Sequence, residues 1–289
     1  MNPLDMRQIA FLGLGAMGLP MAKNLARAGF KLHVAVHRDP APADELRRLG
    51  AEVHASPAEA IAAAGAVISI LPEDRQMRQV LLASEVLAEV REDQLLMEMT
   101  SGSPGAMKEV AEAYAARGAL VLDAPVSGGT IGAEKGTLTV MVGGSEEALE
   151  LAQPILGAIA QTVHSVGAIG AGKAVKAINQ MLAAVHMLAA SEAIALAEKL
   201  DVDLAALQKV IGSSSGGSWM FANKAQAIAE RNFQPGFKLH LMKKDIGIAL
   251  QEAAGQPMPV TSHAFQLYEM AAKESGELDF AAVSRIARG

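Results

Sequence analysis

The chain has 289 residues, 51% of them apolar and 19% charged, which is too long for one domain of about 100–200 residues and too apolar for disorder. Its formal net charge of -6 argues against nucleic acid as the main partner, because that task needs a dense basic surface. Cysteine is absent, which excludes disulfides, thiolate metal sites and a thiol nucleophile, and a cytoplasmic location is expected.

The first eight residues include Asp5 and Arg7 and lack the apolar stretch of a secretory leader. Strands are predicted at 9–13, 32–36, 66–71, 95–99 and 120–123, where short runs are aliphatic or β-branched. Helices are predicted between them at 16–28, 43–49, 57–64, 74–82 and 104–117. A further strand at 137–142 and a helix at 146–159 follow. Runs such as Val67-Ile68-Ser69-Ile70-Leu71 are nearly continuous in apolar character, as strands covered on both faces are. This alternation predicts an α/β fold, a Rossmann-type doubly wound parallel sheet.

After about residue 165 no further strands are predicted. A glycine-rich turn at 167–172 precedes a helical pattern from 173 to about 200, apolar on most sides. That helix contains Lys176, Asn179, Gln180, His186 and Glu192, so it is read as buried rather than as a membrane span. Further helices are predicted to 289, separated at 213–218, 232–236 and 256–259. The expected organisation is a nucleotide-binding domain over 1–165 and an all-α substrate and oligomerisation domain over 166–289, entered through the long helix.

Gly13-Leu14-Gly15-Ala16-Met17-Gly18 fits G-x-G-x-x-G, directly after the first strand and at the opening of a helix. The first glycine allows the tight turn, the second the approach of a pyrophosphate, and the third close packing of helix on strand. A methyl-transferring enzyme with a related nucleotide site is the rival within this reading. At the end of the second strand, Arg38 beside His37 favours NADP. Asp39 is close enough to serve NAD after a small change of register. His33 and His37 share a face of that strand, but no carboxylate or third ligand is adjacent in sequence, and no metal is expected.

On the long helix, Lys176, Asn179, Gln180 and His186 fall within about a third of the circumference. A solvated stripe is the ordinary explanation. Against it stand the apolar surroundings, the preceding Gly170 and Gly172, and the nucleotide domain just before. A sheltered lysine there is suited to proton transfer near neutral pH. Hydride transfer needs no nucleophile or metal, only positioning, one proton-transferring group and an anchor for substrate charge.

Four motifs in order carry a resemblance over nearly the whole chain. They are Phe11–Gly18 with Pro20-Met21-Ala22 and Asn24-Leu25, then Asp123-Ala124-Pro125-Val126-Ser127-Gly128-Gly129, then Gly170-x-Gly172-x-x-x-Lys176-x-x-Asn179, and Lys244-Asp245. The series resembles the β-hydroxyacid dehydrogenase family, which includes 3-hydroxyisobutyrate dehydrogenase and tartronate semialdehyde reductase. The resemblance implies a short 3-hydroxy acid or its semialdehyde as substrate, with NADP or NAD as cofactor. Lys176 is then the general acid and base, and Asn179 orients it and the substrate. Ser127, Gly128 and Gly129 hold the substrate carboxylate, Lys244 closes beside the cofactor, and Leu71, Pro72 and Thr100 line the nicotinamide side. Asp245 is read as a structural partner.

The chain departs from the family pattern at Glu98-Met99-Thr100-Ser101, where an acidic-x-Ser-Thr sequence is usual. Ser214-Ser215-Gly216-Gly217-Ser218-Trp219 resembles the hydroxyisobutyrate and serine dehydrogenases. The segment from Phe233 through Pro235-Gly236-Phe237-Lys238-Leu239-His240-Leu241 resembles the tartronate semialdehyde reductases. An imine reductase on the same scaffold is the alternative enzyme, opposed by Lys176. A dinucleotide-binding regulator without turnover is the alternative of another class, opposed by the intact site series. The apolar long helix predicts a homodimer or homotetramer.

Overall fold

The computed structural model describes residues 5–36 and 39–288. The chain divides into two compact units, 1–176 and 177–289. The first opens with β1 (Gln8–Leu12), α1 (Gly18–Arg27), β2 (Lys31–Ala35), α2 (Ala41–Arg48), β3 (Glu52–His54) and α3 (Pro57–Ala62). It continues with β4 (Ala66–Ser69), α4 (Asp74–Leu81), α5 (Ser84–Glu89), β5 (Leu95–Glu98), α6 (Pro104–Ala115) and β6 (Leu120–Asp123). It closes with β7 (Val126–Ser127), α7 (Gly129–Lys135), β8 (Leu138–Gly144), α8 (Glu146–Leu156) and β9 (Ala160–Gly167).

These strands form one sheet in the order β3-β2-β1-β4-β5-β6-β8-β7, with β9 also on β8. Strands β3 through β6 run parallel, while β8 meets β6 and β7 antiparallel and β9 parallel. The period of two along each strand sorts side chains between two cores. Ile9, Phe11, Ala66, Ile68, Leu95 and Met97 enter one with residues of α1, α2 and α8. Ala10, Leu12, Val67 and Leu96 enter the other with residues of α3, α4 and α6. Both faces are therefore covered, which explains the near-continuous apolar runs.

Order reverses at β1, flanked by β2 on one side and β4 on the other. The crevice beyond the carboxyl ends of strands at such a switch is where open α/β sheets take ligands. Local signals set the helix starts: Ser56, Ser103 and Ser145 cap α3, α6 and α8 with side-chain oxygens.

The second unit is helical: α9 (Ala171–Lys199), which starts in the first unit, then α10 (Leu204–Gly212), α11 (Trp219–Ala229), α12 (Leu239–Glu252) and α13 (Pro259–Ser275). A 3-10 turn, Phe280–Ser284, leads into α14 (Arg285–Arg288). Helix α9 has the length and composition to cross a membrane, but Ala183, Ala184, Met187, Ala190 and Ile194 enter the helical core with Phe221, Met242 and Tyr268. Such packing is that of a core helix.

Three strands and two helices were not expected from sequence: β3, β7, β9, α5 and α7. Strand β9 extends the sheet through residues 160–167, partly inside the turn predicted at 167–172, and most of its residues are exposed or half-buried. The predicted polar stripe on α9 also divides. Lys176 and Gln180 are buried, Asn179 is half-buried, and His186 is exposed.

Candidate active site

The G-x-G-x-x-G segment sits between β1 and α1, at the switch point. Gly13 has φ +103, and a Cβ there would run into the Ile70 carbonyl at the end of β4. A Cβ at Gly18 would run into the Gly13 carbonyl. These two glycines are therefore required by the turn itself. Gly15 differs, since a Cβ there meets no described atom within 4 Å. Packing gives no reason for a glycine at 15, whereas close approach of a pyrophosphate does. The amino end of α1, beside Gly15 and exposed Ala16, presents N–H groups and positive dipole to an anion. Leu14 and Met17 are half-buried and pack against the core below.

The nicotinamide-side candidates meet in the next loops of the same unit. Leu71 N donates to Thr100 Oγ1 at 2.9 Å, tying the end of β4 to the end of β5. Pro72 is exposed beside it. Thr100 is buried and is held by Glu98: its N lies 3.2 Å from both carboxylate oxygens and its hydroxyl donates to Oε1. Ser69 Oγ donates to the same oxygen at 2.8 Å. The departure from the usual strand-end sequence thus keeps an acidic residue gripping a hydroxyl, with threonine in place of serine.

Glu98 has a further partner that sequence reading missed. Lys173, fully buried, donates from Nζ to the Glu98 carboxylate and, at 3.1 Å, to the Glu98 carbonyl. The same Nζ lies 3.4 Å from Asp123 Oδ1. Asp123 Oδ2 accepts from Gly170 N and Lys173 N, both at 3.0 Å. Burial pushes the Asp123 carboxyl above its usual range, against the pull of the Lys173 charge. Gly172 is needed for this contact, since a Cβ there would lie 2.6 Å from the Met141 carbonyl oxygen and 2.8 Å from that of Asp123. The first turn of α9 is thereby locked to β5 and β6, and Lys176 follows one turn later, 7% exposed. A charged residue three before Lys176 on an apolar helix was the available signal.

Ser127 ends β7, half-buried, and the chain turns through Gly128 (φ +132) and Gly129 (φ +62) into α7. Both conformations are ones that side chains oppose. In the second unit, Asn179 Nδ2 donates to Gln180 Oε1 at 3.1 Å, and Gln180 Nε2 donates to buried Asp245 Oδ2 at 2.7 Å. Lys244 Nζ lies 3.1 Å from Asp245 Oδ1. His37 and Arg38, on which the cofactor choice was read, lie outside the described residues. Asp39 accepts from Ala41 N at 3.0 Å, occupied by its own turn.

A doubly wound sheet with this glycine turn defines a dinucleotide-binding oxidoreductase fold, and comparison with known proteins narrows it. Residues 8–170 match the NAD binding domain of 6-phosphogluconate dehydrogenase. Residues 170–287 match the NAD-binding region of NADP-dependent 3-hydroxyisobutyrate dehydrogenase. The chain is 37% identical to the NAD-dependent L-serine dehydrogenase of Pseudomonas aeruginosa, over 97% of this chain and 98% of that one. It is 38% identical to the L-threonate dehydrogenase of Cupriavidus necator, over 96% and 95%. The solved structure of Mycobacterium tuberculosis 3-hydroxyisobutyrate dehydrogenase with L-serine superposes with a TM-score of 0.90 at 38% identity, over 97% and 99%. The chain belongs to the β-hydroxyacid dehydrogenase family of NAD(P)-dependent 3-hydroxy acid dehydrogenases. An imine reductase from a Pseudomonas species shares the fold at 22% identity and a TM-score of 0.66.

Proposed function

We propose that this enzyme oxidises a short 3-hydroxy acid of the L-serine or 3-hydroxyisobutyrate class to its semialdehyde, and reduces semialdehydes of that class, with Lys176 transferring the proton. The reading is carried by one observation: Lys176 is a buried lysine on α9, one turn beyond the point where Lys173 ties that helix to Glu98 and Asp123. The names of the relatives support the substrate class.

When bound, the nicotinamide supplies the hydride acceptor or donor. Gly13, Leu14, Gly15, Ala16, Met17 and Gly18 would hold the pyrophosphate, and Leu71, Pro72 and Lys244 would contact the nicotinamide side, with Thr100, fully buried, holding Leu71 in place from behind. Ser127, Gly128 and Gly129 hold the substrate carboxylate with a hydroxyl and backbone N–H groups, where the positive-φ glycines leave the backbone uncovered. Lys176 accepts the hydroxyl proton during oxidation and returns it to the carbonyl oxygen during reduction. Asn179 orients substrate and lysine.

Arg38 and His37 favour NADP over NAD. Steady-state kinetics with both cofactors on wild type and Arg38→Ala tests this, and unchanged NADPH affinity removes Arg38 from the role. A homodimer or homotetramer is proposed from the apolar side chains that α9 leaves exposed in one chain, Ile178, Leu182 and Leu196. Light scattering that reports a monomer at micromolar concentration refutes it.

The deciding experiment follows reduced-nicotinamide absorbance across L-serine, 3-hydroxyisobutyrate, L-threonate and tartronate semialdehyde. Lys176→Ala should lower kcat by about 10²–10⁴-fold, the range of general acid–base catalysis, with dinucleotide affinity unchanged. A loss smaller than about tenfold excludes Lys176 as the proton-transferring group. Tight dinucleotide binding with no turnover on any substrate favours a regulator instead.

A further inference from the structure

The pairing of β2 with β3 assembles a cluster that the dehydrogenase chemistry does not use. In this parallel pair His33 stands opposite Glu52, and His54, two residues beyond Glu52, shares its face. His33 Nδ1 lies 2.9 Å from His54 Nε2 and 3.4 Å from Glu52 Oε2. His54 Nε2 lies 3.9 Å from the same oxygen. We infer that His33, His54 and Glu52 form a binding site for a divalent transition cation of the zinc class.

Two imidazole nitrogens and one carboxylate oxygen are a donor set that zinc takes, commonly with water in the fourth position. Metal–ligand bonds of about 2.0–2.2 Å in a tetrahedron put ligand atoms about 3.4 Å apart. The three observed separations scatter around that value, so a cation needs only small side-chain adjustments.

The surroundings orient each ligand. Gln8 Nε2 donates to Asp5 Oδ2 at 3.4 Å, which turns Gln8 Oε1 towards His33 Nε2 at 2.9 Å. An acceptor there keeps the His33 proton on Nε2 and leaves the Nδ1 lone pair facing His54 and Glu52. Metal-bound histidines are characteristically fixed by this kind of outer hydrogen bond. Lys31 Nζ holds Glu52 Oε1 at 3.1 Å, leaving Oε2 towards the imidazoles. His33 is 4% exposed and rests on the sheet, while Glu52 opens the site to solvent. A bound cation would fasten the three-residue edge strand β3 to β2.

The test is calorimetric titration of untagged, chelator-washed, full-length protein with zinc chloride, with cobalt(II) in parallel for its visible spectrum. Expected are one zinc ion per chain and the cobalt absorption of tetrahedral coordination. His54→Gln should weaken zinc binding by at least about 100-fold, beyond the loss usual for outer-shell partners, and Glu52→Gln by at least about tenfold. Dinucleotide affinity in both variants should match wild type, which also reports intact folding. Glu52 is largely solvent-facing, so its variant is a readout that does not strain the sheet. Absence of one-to-one binding in wild type overturns the site, as does unchanged affinity in His54→Gln, which assigns binding to other histidines. A tight hydrogen bond between the two imidazoles is then all that the cluster does.

Discussion

Replacing Lys173 by methionine keeps the length of the side chain and removes its charge, leaving Glu98 and Asp123 buried with no cation between them. Breaking a buried ion pair by deleting one partner costs about 3–5 kcal/mol, because the remaining charge stays desolvated. Here two carboxylates remain, and Asp123 Oδ1 accepts no hydrogen bond among the described residues, so the upper half of that range is expected. The loss must depend on pH. Burial already raises the Asp123 carboxyl, and Lys173 is the main influence opposing it; without Lys173 it rises further. A carboxyl whose folded pKa exceeds its unfolded value of about 3.9 costs stability increasingly as pH rises through that interval. In wild type the same carboxyl is raised less, because the Lys173 charge opposes the effect of burial. The gap between the proteins is therefore widest at high pH and narrows on acidification, as Asp123 takes up its proton first in the variant. Trp219 is the sole tryptophan and sits in the helical unit, so fluorescence reads the wrong part of the chain. Amide hydrogen exchange of β4, β5 and β6 reads the right one, and 3–5 kcal/mol corresponds to about 10²–10⁴-fold faster exchange through unfolding. Acceleration below tenfold at pH 7, or a gap that widens on acidification, refutes the buried triad.

The remaining predictions separate glycine roles and the hubs of the helical unit. Gly15→Ala should leave the melting temperature unchanged while weakening dinucleotide binding in calorimetry, because its Cβ meets no described atom. Gly13→Ala should lose both affinity and about 1–3 kcal/mol of stability, since φ is +103 and the Ile70 carbonyl blocks the added carbon. Asp279 is buried; it accepts from Gly236 N at 3.0 Å, Phe237 N at 3.2 Å and Ala281 N at 3.1 Å, and pairs with Lys224 at 2.9 Å. Asp279→Ala should cost about 1–3 kcal/mol in urea unfolding followed by Trp219 fluorescence, because backbone N–H groups lose their acceptor while the partly exposed Lys224 can turn to water. Gln180→Leu should cost about 1–3 kcal/mol by removing the amide donor from buried Asp245.

What was legible in the sequence is what local pattern encodes. Strands β1, β4 and β5 are apolar on both faces because both faces are covered, and the glycines at 13 and 18 announce a turn that admits no side chain. Strand β9 escaped because its solvent-facing Gln161, Thr162, His164 and Ser165 give it the composition of a loop. Strand β3 has three residues and only the period of a turn. Lys176 was singled out as a polar residue on an apolar helix, and it is buried there. Lys173 was equally out of place, yet its meaning lay with Glu98 and Asp123, 75 and 50 residues away. No periodicity reports such a distance.

That difference bears on how the two lysines divide their work. A charge at a fully buried position persists only where opposite charges and hydrogen bonds repay its desolvation. Lys173 has two carboxylates and a carbonyl within 3.4 Å, which suits it to fixing the first turn of α9 to the sheet. A group that must take and give up a proton in each turnover requires a partner it can leave. Lys173 therefore fixes the helical turn that precedes Lys176, the lysine proposed for the proton transfer. Exchanging the order, with the tightly paired lysine as proton carrier, would demand breaking the triad at every catalytic cycle.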